Sequence, residues 1–172
     1  FAGDIPETGS LTTLINTSPD VCTSILINGH LKGAYLEWAV VGAFGDNLFA
    51  SATALAKPLG LDEAKLARLK DLGTFINYNG YGSNLEDLHF APADLYRAVS
   101  VYPSPFDFIE NSRADFEKLE CGYREDMAAA GALQPLQASE RTAVYVLPNA
   151  AWARRVSGVY GNELANESPA RG

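Results

Sequence analysis

A continuous apolar run extends from Trp38 to Phe44 and ends at Gly45 and Asp46. Its apolar residues do not alternate with polar ones, which is typical of a strand covered on both faces in a parallel sheet. The preceding segment, from Ser18 to Gly33, has apolar residues near helical spacing, with Ser18 or Asp20 as a candidate cap. A helix followed by a buried strand is half of a βαβ unit, so the pattern predicts an α/β fold.

The rest of the chain is predicted to be mostly helical, with a few short strands. Helical sequence follows Leu48, is broken at Pro58 and Gly60, and resumes with Asp62 as the cap. Ser112 opens a long amphipathic helix that ends at Gly131. Further elements are a short strand at 11–16, an ordered loop at 77–91, a helix that starts near Pro92, a second strand at 142–148 and another segment that begins at 153.

Composition narrows the class of protein. The chain has 172 residues, enough for one domain or for one domain and part of another. A net charge of −8 argues against binding to long duplex nucleic acid, and no apolar run approaches the ~20 residues that cross a bilayer. Cys22 and Cys121 lie in apolar settings, which indicates buried thiols in a reducing, cytoplasmic compartment. Both ends of the sequence suggest an internal piece of a longer protein.

Asp46 is the first candidate functional residue, because open α/β sheets bind ligands beyond the carboxyl ends of their strands. Gly42, Ala43 and Gly45 are small enough to let a metal or a phosphate approach the backbone. Asp46 could equally cap the helix that follows it. Position alone leaves both interpretations open.

Several segments resemble the DHH phosphoesterase superfamily, which includes RecJ-like nucleases, oligoribonucleases and exopolyphosphatases. The segment "VVGAFGDN" resembles the Gly-x-x-x-Asp element of that family, and "DVCTSILINGHL" resembles the helix after the DHH motif. Residues 154–172 resemble the opening of the DHHA1 substrate-binding domain. The resemblance implies the C-terminal part of a parallel-sheet DHH domain at 1–111, a connector helix and linker at 112–138, and the beginning of a smaller α/β DHHA1 domain at 139–172.

The resemblance further implies a portion of a metal-dependent phosphoesterase that hydrolyses phosphodiester or phosphoanhydride bonds. In such enzymes two Mn²⁺ or Mg²⁺ ions activate a bridging water, and Asp46 matches a carboxylate that is both metal ligand and catalytic residue. The Asp-His-His triplet, the Asp-rich N-terminal motifs and a GGGH-like element are absent. Most metal ligands would therefore lie outside this chain, in a missing N-terminal part of the same protein, and the chain alone is predicted to be inactive.

The predicted substrate is small and phosphorylated, or a short oligonucleotide, and the residues that would bind it lie in two regions. In the ordered loop, Tyr78 and Tyr81 could stack on bases, and His89 lies among carboxylates. Arg154, Arg155 and Arg171 could reach a phosphate. Each also has a structural interpretation: the tyrosines pack and turn, His89 orders the loop, and the arginines form a solvated cluster.

Two other functions compete with the phosphoesterase. One is a non-catalytic binding or regulatory module that has lost the metal site, which the acidic charge and the missing motifs would permit. The other is a hydrolase of unrelated type that uses Asp46 as a general base without a metal. No membrane partner is expected, and a homodimer is possible.

Overall fold

The computed structural model describes residues 9–169, and within this range the chain is mostly helical. It contains two short 3-10 turns, at Lys57–Leu59 and Leu85–Asp87. The α-helices in chain order are α1 (Thr23–His30), α2 (Leu36–Gly45), α3 (Phe49–Ala56), α4 (Glu63–Tyr78), α5 (Pro92–Ser100), α6 (Pro105–Asn111), α7 (Arg113–Gly131) and α8 (Ala151–Glu167).

The predicted parallel sheet is wrong. The described residues contain one sheet, formed by β1 (Gln137–Ala138) and β2 (Ala143–Val144), and these two strands pair antiparallel. The second strand predicted at 142–148 is thus reduced to two residues. The segment 11–16, predicted as a strand, has no regular secondary structure. The fold class is therefore not that of a parallel-sheet DHH domain followed by a second α/β domain.

The central error concerns the apolar run from Trp38 to Phe44, which forms helix α2 and not a strand. Continuous apolarity does not distinguish a buried strand from a helix buried on all sides. Six of the ten residues of α2 are buried, on more than one face of the helix: Ala39, Val40, Val41, Ala43, Phe44 and Gly45. Other helices therefore surround this apolar segment and bury it.

The small residues of α2 serve helix packing. A Cβ added at Gly42 would lie 2.6 Å from Ser24 Oγ in α1, and one added at Gly73 in α4 would lie 2.2 Å from the Val41 carbonyl oxygen. Ser24 also donates a hydrogen bond of 3.2 Å to the carbonyl of Ala39. Gly42, which was predicted to admit a metal or phosphate, thus lets α1 approach the backbone of α2. Gly73 lets α4 approach the same helix near its C-terminal end.

Contacts divide the chain into two compact units, one ending at Gly73 and one beginning at Thr74. The domain boundaries expected after residues 111 and 138 rest on the family resemblance, and they stay predictions. In the second unit, α7 packs against α6 and α8. The core of this unit is aromatic and aliphatic, and its largest buried apolar side chains include Tyr78, Phe108, Phe116, Leu119 and Val156.

Most of the predicted helices are confirmed. Asp62 accepts a hydrogen bond of 2.7 Å from the Lys65 amide, as expected of a cap for α4, and α5 begins at Pro92. The long helix predicted from Ser112 to Gly131 is α7, but α1 begins at Thr23 after an N-cap at Cys22 and not at Ser18 or Asp20. Within residues 9–169, no helix is long and apolar enough to cross a membrane.

Candidate functional site

Asp46 occupies the C-cap of α2, at the end of a buried helix and not at the end of a strand. Its backbone amide bonds the Gly42 carbonyl at 3.0 Å, and Asn47 follows in the left-handed region with φ 59°. The residue itself is exposed. Backbone hydrogen bonds therefore define this turn, and the side chain of Asp46 is exposed beside it.

The capping interpretation of Asp46 has no support in the hydrogen bonds. The N-cap of α3 is Leu48, and no side chain accepts a hydrogen bond from the first turn of α3. Among the described residues, the structure gives the Asp46 carboxylate no hydrogen bond and no ion pair. A carboxylate at a helix C-terminus also meets the negative end of the helix dipole. Asp46 therefore has no evident structural role.

The described residues do not by themselves fit a metal centre. No group of three or more His, Cys, Asp or Glu side chains within residues 9–169 is arranged to hold a metal ion. Asp46 alone offers one carboxylate, whereas a catalytic metal of this kind needs several ligands.

The other predicted residues lie in the second unit, where Tyr78 is the centre of a buried polar network. Its hydroxyl lies 2.8 Å from His89 Nε2 and accepts a hydrogen bond of 3.0 Å from Arg155 Nε. It donates to the carboxylate of Asp126 on α7. Burial, and then the neighbouring Asp126, raise the pKa of Tyr78, so the phenol keeps its proton.

Arg155 joins three segments of the chain. Its Nε donates to Asp126 Oδ2 at 2.7 Å and its Nη2 to Asp126 Oδ1 at 3.1 Å, a two-pronged pair that suits a guanidinium. Its Nη1 donates to the backbone carbonyl of Asp87. Arg155 is nearly buried, so the predicted solvated cluster does not describe it. The guanidinium holds α8 against α7 and the loop.

His89 is confined by its neighbours. The Tyr78 hydroxyl has one proton and two acceptors within reach, the Asp126 carboxylate and the Gly122 carbonyl at 3.1 Å. We therefore assign His89 Nε2 as the donor to that hydroxyl, which places the proton of neutral His89 on Nε2. The ring lies against α7 where Gly122 leaves room, since a Cβ there would lie 2.4 Å from His89 Nε2. Burial, and then the charge of Arg155, lower the pKa of His89.

Arg154 forms a second and separate ion pair, with Asp87. Its Nε donates to Asp87 Oδ2 at 2.7 Å and its Nη2 to Asp87 Oδ1 at 2.6 Å. Asp87 also accepts from the Ser83 amide at 2.8 Å, which ties the loop to α8. These contacts, that with Arg154 above all, hold the pKa of Asp87 well below its usual range. The charge of Arg154 is thus largely neutralised.

The predicted substrate residues separate into buried and accessible ones. Tyr78 is fully buried, so its ring offers no face for a base to stack on. Tyr81 is 42% exposed, and Arg154 lies beside it in one open cleft. Arg171 lies outside the described residues, and Asp46 belongs to the other compact unit.

Sequence reasoning missed the carboxylates that pair with the two arginines: Asp126 was not singled out, and Asp87 was counted only among the carboxylates near His89. Asp126 had a detectable signal, because it lies three residues after Tyr123 on the apolar face of the predicted amphipathic helix. A charged residue on a buried face indicates a buried partner. Asp87 had no comparable signal, since it stands in a loop rich in polar residues.

The two cysteines are free thiols in the structure, Cys22 half-buried and Cys121 exposed on α7. The expectation that both are buried is therefore wrong for Cys121. Apolar neighbours in the sequence do not determine whether a residue lies on the buried or the exposed face of a helix.

Comparisons of the chain with protein-family models, with curated proteins and with solved structures found no match. The geometry of the residues themselves is therefore the basis for assigning a function.

Proposed function

We propose that this chain is part of a metal-dependent phosphoesterase that acts on a small nucleotide-like substrate in the cytoplasm, and that Asp46 supplies one metal ligand. The observation that carries the proposal is the position of Asp46. Its carboxylate is exposed at the C-terminal end of α2, and none of the described residues gives it a hydrogen bond.

Electrostatics strengthens this interpretation. A carboxylate at the C-terminal end of a helix is destabilising by roughly 0.3–1 kcal/mol, because the last carbonyl groups carry partial negative charge. Asn would serve the same turn without that cost. An acidic residue in this position is better explained by a cation that it binds than by the stability of the turn.

The proposal requires further ligands from outside the described residues, since these contain no group able to hold a metal alone. A bound Mn²⁺ or Mg²⁺ would supply an activated water and charge stabilisation at the phosphoryl group. The contribution of this chain is one carboxylate at the end of α2, a helix against which α1 and α3 pack and which Gly73 of α4 approaches closely.

The test uses the protein expressed from its complete reading frame, assayed with Mn²⁺ on bis-para-nitrophenyl phosphate and on a short oligonucleotide. We expect hydrolysis that a chelator abolishes, and a loss of at least about 100-fold in kcat/KM for Asp46→Asn. Asp94→Asn is the matched control, because Asp94 is exposed and makes only a surface ion pair with Arg97. The control should keep full activity.

Thermal unfolding distinguishes a lost ligand from a lost fold. Without metal, Asp46→Asn should be as stable as the wild type or more stable by up to about 1 kcal/mol, because an unfavourable charge is removed from the end of α2. Full activity of Asp46→Asn, or no hydrolysis by the folded wild type, would refute the proposal. The second result would favour a non-catalytic binding module.

A further inference from the structure

The second unit contains an open cleft of about 360 Å³ beside the ordered loop. Its lining is part apolar and part polar, formed by Tyr81, Ser83, Leu147, Pro148, Ala153 and Arg154, which together we call the Tyr81 cleft. The volume lies at the lower end of the range found for small-molecule sites. Such a cleft has room for a nucleobase-sized ligand.

The aromatic wall of the cleft is held in place. The Cε1, Cζ and hydroxyl atoms of Tyr81 lie next to α8, where a Cβ added at Gly158 would be 3.6 Å from Cε1. The ring nevertheless remains 42% exposed. An aromatic ring that contacts a helix and is also partly exposed offers a surface on which a base can stack.

The loop that carries this ring is preorganised. Gly82 leaves no room for a side chain, since a Cβ there would lie 2.9 Å from Asp87 Cβ. The Asp87 carboxylate accepts from the Ser83 amide, and Asn84 accepts from the Asp87 amide at 3.1 Å. A ligand would therefore meet a formed surface, which lowers the entropic cost of binding.

The polar wall of the cleft is formed by Arg154, which offers hydrogen-bond donors while its charge is offset by Asp87. A guanidinium has five N–H groups, of which Arg154 uses two on Asp87 and one on Asn149 Oδ1. Two N–H groups remain, on a side chain that is 30% exposed. Since Asp87 offsets the charge, the cleft suits an uncharged group with hydrogen-bond acceptors better than a bare phosphate.

We propose that the Tyr81 cleft binds a nucleobase, which stacks on Tyr81 and accepts hydrogen bonds from Arg154. Guanine is the preferred base, because the adjacent acceptors on its Hoogsteen edge match a guanidinium. The proposal depends on neither Asp46 nor a metal, so it can fail or succeed independently of the phosphoesterase assignment.

The test is titration of the whole protein with guanosine monophosphate by calorimetry, in the absence of divalent metal. We expect a Kd below about 1 mM, and binding of ribose phosphate, which lacks the base, at least about tenfold weaker. Adenosine monophosphate should bind more weakly than guanosine monophosphate. Tyr81→Ala should weaken guanosine monophosphate binding about tenfold or more, while Tyr81→Phe keeps the stacking surface and should stay within about twofold.

Tyr96→Ala is the matched control, because Tyr96 is 70% exposed and does not line the cleft. It should bind guanosine monophosphate as the wild type does. The proposal is overturned by folded wild-type protein that does not bind guanosine monophosphate, by equal binding of ribose phosphate, or by unchanged binding in Tyr81→Ala. Equal binding of adenosine monophosphate would overturn the choice of guanine.

Discussion

At the scale of single residues, the buried charged groups of the second unit are paired with each other and hydrogen-bonded. Arg155 and Asp126 form a two-pronged pair, and the Tyr78 hydroxyl donates to one end of it. A buried ion pair is costly to desolvate, and removing one partner leaves an uncompensated charge. The network therefore specifies how α8 packs more than it adds net stability.

His89 should make the stability of this unit depend on pH. Its pKa in the folded protein is below its usual value, so on acidification the unfolded chain takes up a proton before the folded protein does. The contribution of His89 to the free energy of unfolding is fully present above the pKa of His89 in the unfolded chain, near 6.5. It is lost as the pH falls towards the lower pKa that His89 has in the folded protein. Urea unfolding at neutral and mildly acidic pH should show the wild type losing more stability than His89→Gln.

The difference between these two proteins isolates His89 from other titrating groups. Asp126, Arg155, Lys118 and Glu125 all act on the imidazole, and all four are present in both proteins. An equal loss of stability in the wild type and in His89→Gln would contradict the prediction.

At the scale of elements, close approach of helices holds the first unit together. A Cβ at Gly73 would lie 2.2 Å from the Val41 carbonyl oxygen and 2.9 Å from the Gly45 amide nitrogen, both backbone atoms of α2. Backbone cannot move aside as a side chain can. Gly73 thus lets α4 approach the backbone of α2 at its last residue, Gly45, which precedes Asp46.

Gly73→Ala should accordingly destabilise the protein by about 1–3 kcal/mol through overpacking, even though Ala is the better helix former. Gly161→Ala is the control, because Gly161 lies inside α8 with nothing within 4 Å of its added Cβ. That change should stabilise the protein by about 0.5–1 kcal/mol. Denaturant midpoints measure both, and a Gly73→Ala variant as stable as Gly161→Ala would show that the contact is not restrictive.

The same elements show what the sequence could and could not predict. Caps and breaks are local, so Asp62, Pro58 and the ends of α7 were predictable. The conformation of residues 38–44 was not, because a buried strand and a fully surrounded helix give the same apolar pattern. An interpretation of this segment as a strand implies a parallel sheet, which is the source of the wrong fold class.

The candidate sites were predictable to a similar degree. Asp46 and Tyr81 stood out as polar and aromatic residues beside small ones, and both are exposed in the structure. Tyr78 is buried, and its partner Asp126 lies 48 residues away in the chain. Pairing over that separation depends on how α7 packs, which no local pattern contains.

At the scale of the whole molecule, net charge limits the class of nucleic acid that can bind. The chain carries −8, with 13 Lys and Arg against 21 Asp and Glu, and binding to duplex DNA depends on neutralising phosphates. Arg154 and Arg155, which were predicted to reach a phosphate, are already paired with carboxylates. We therefore expect the Kd for a duplex oligonucleotide to exceed about 100 µM at about 0.15 M salt. Lowering the salt to about 0.05 M should not increase the affinity. Fluorescence anisotropy measures this, and tight, salt-dependent duplex binding would contradict a preference for small substrates.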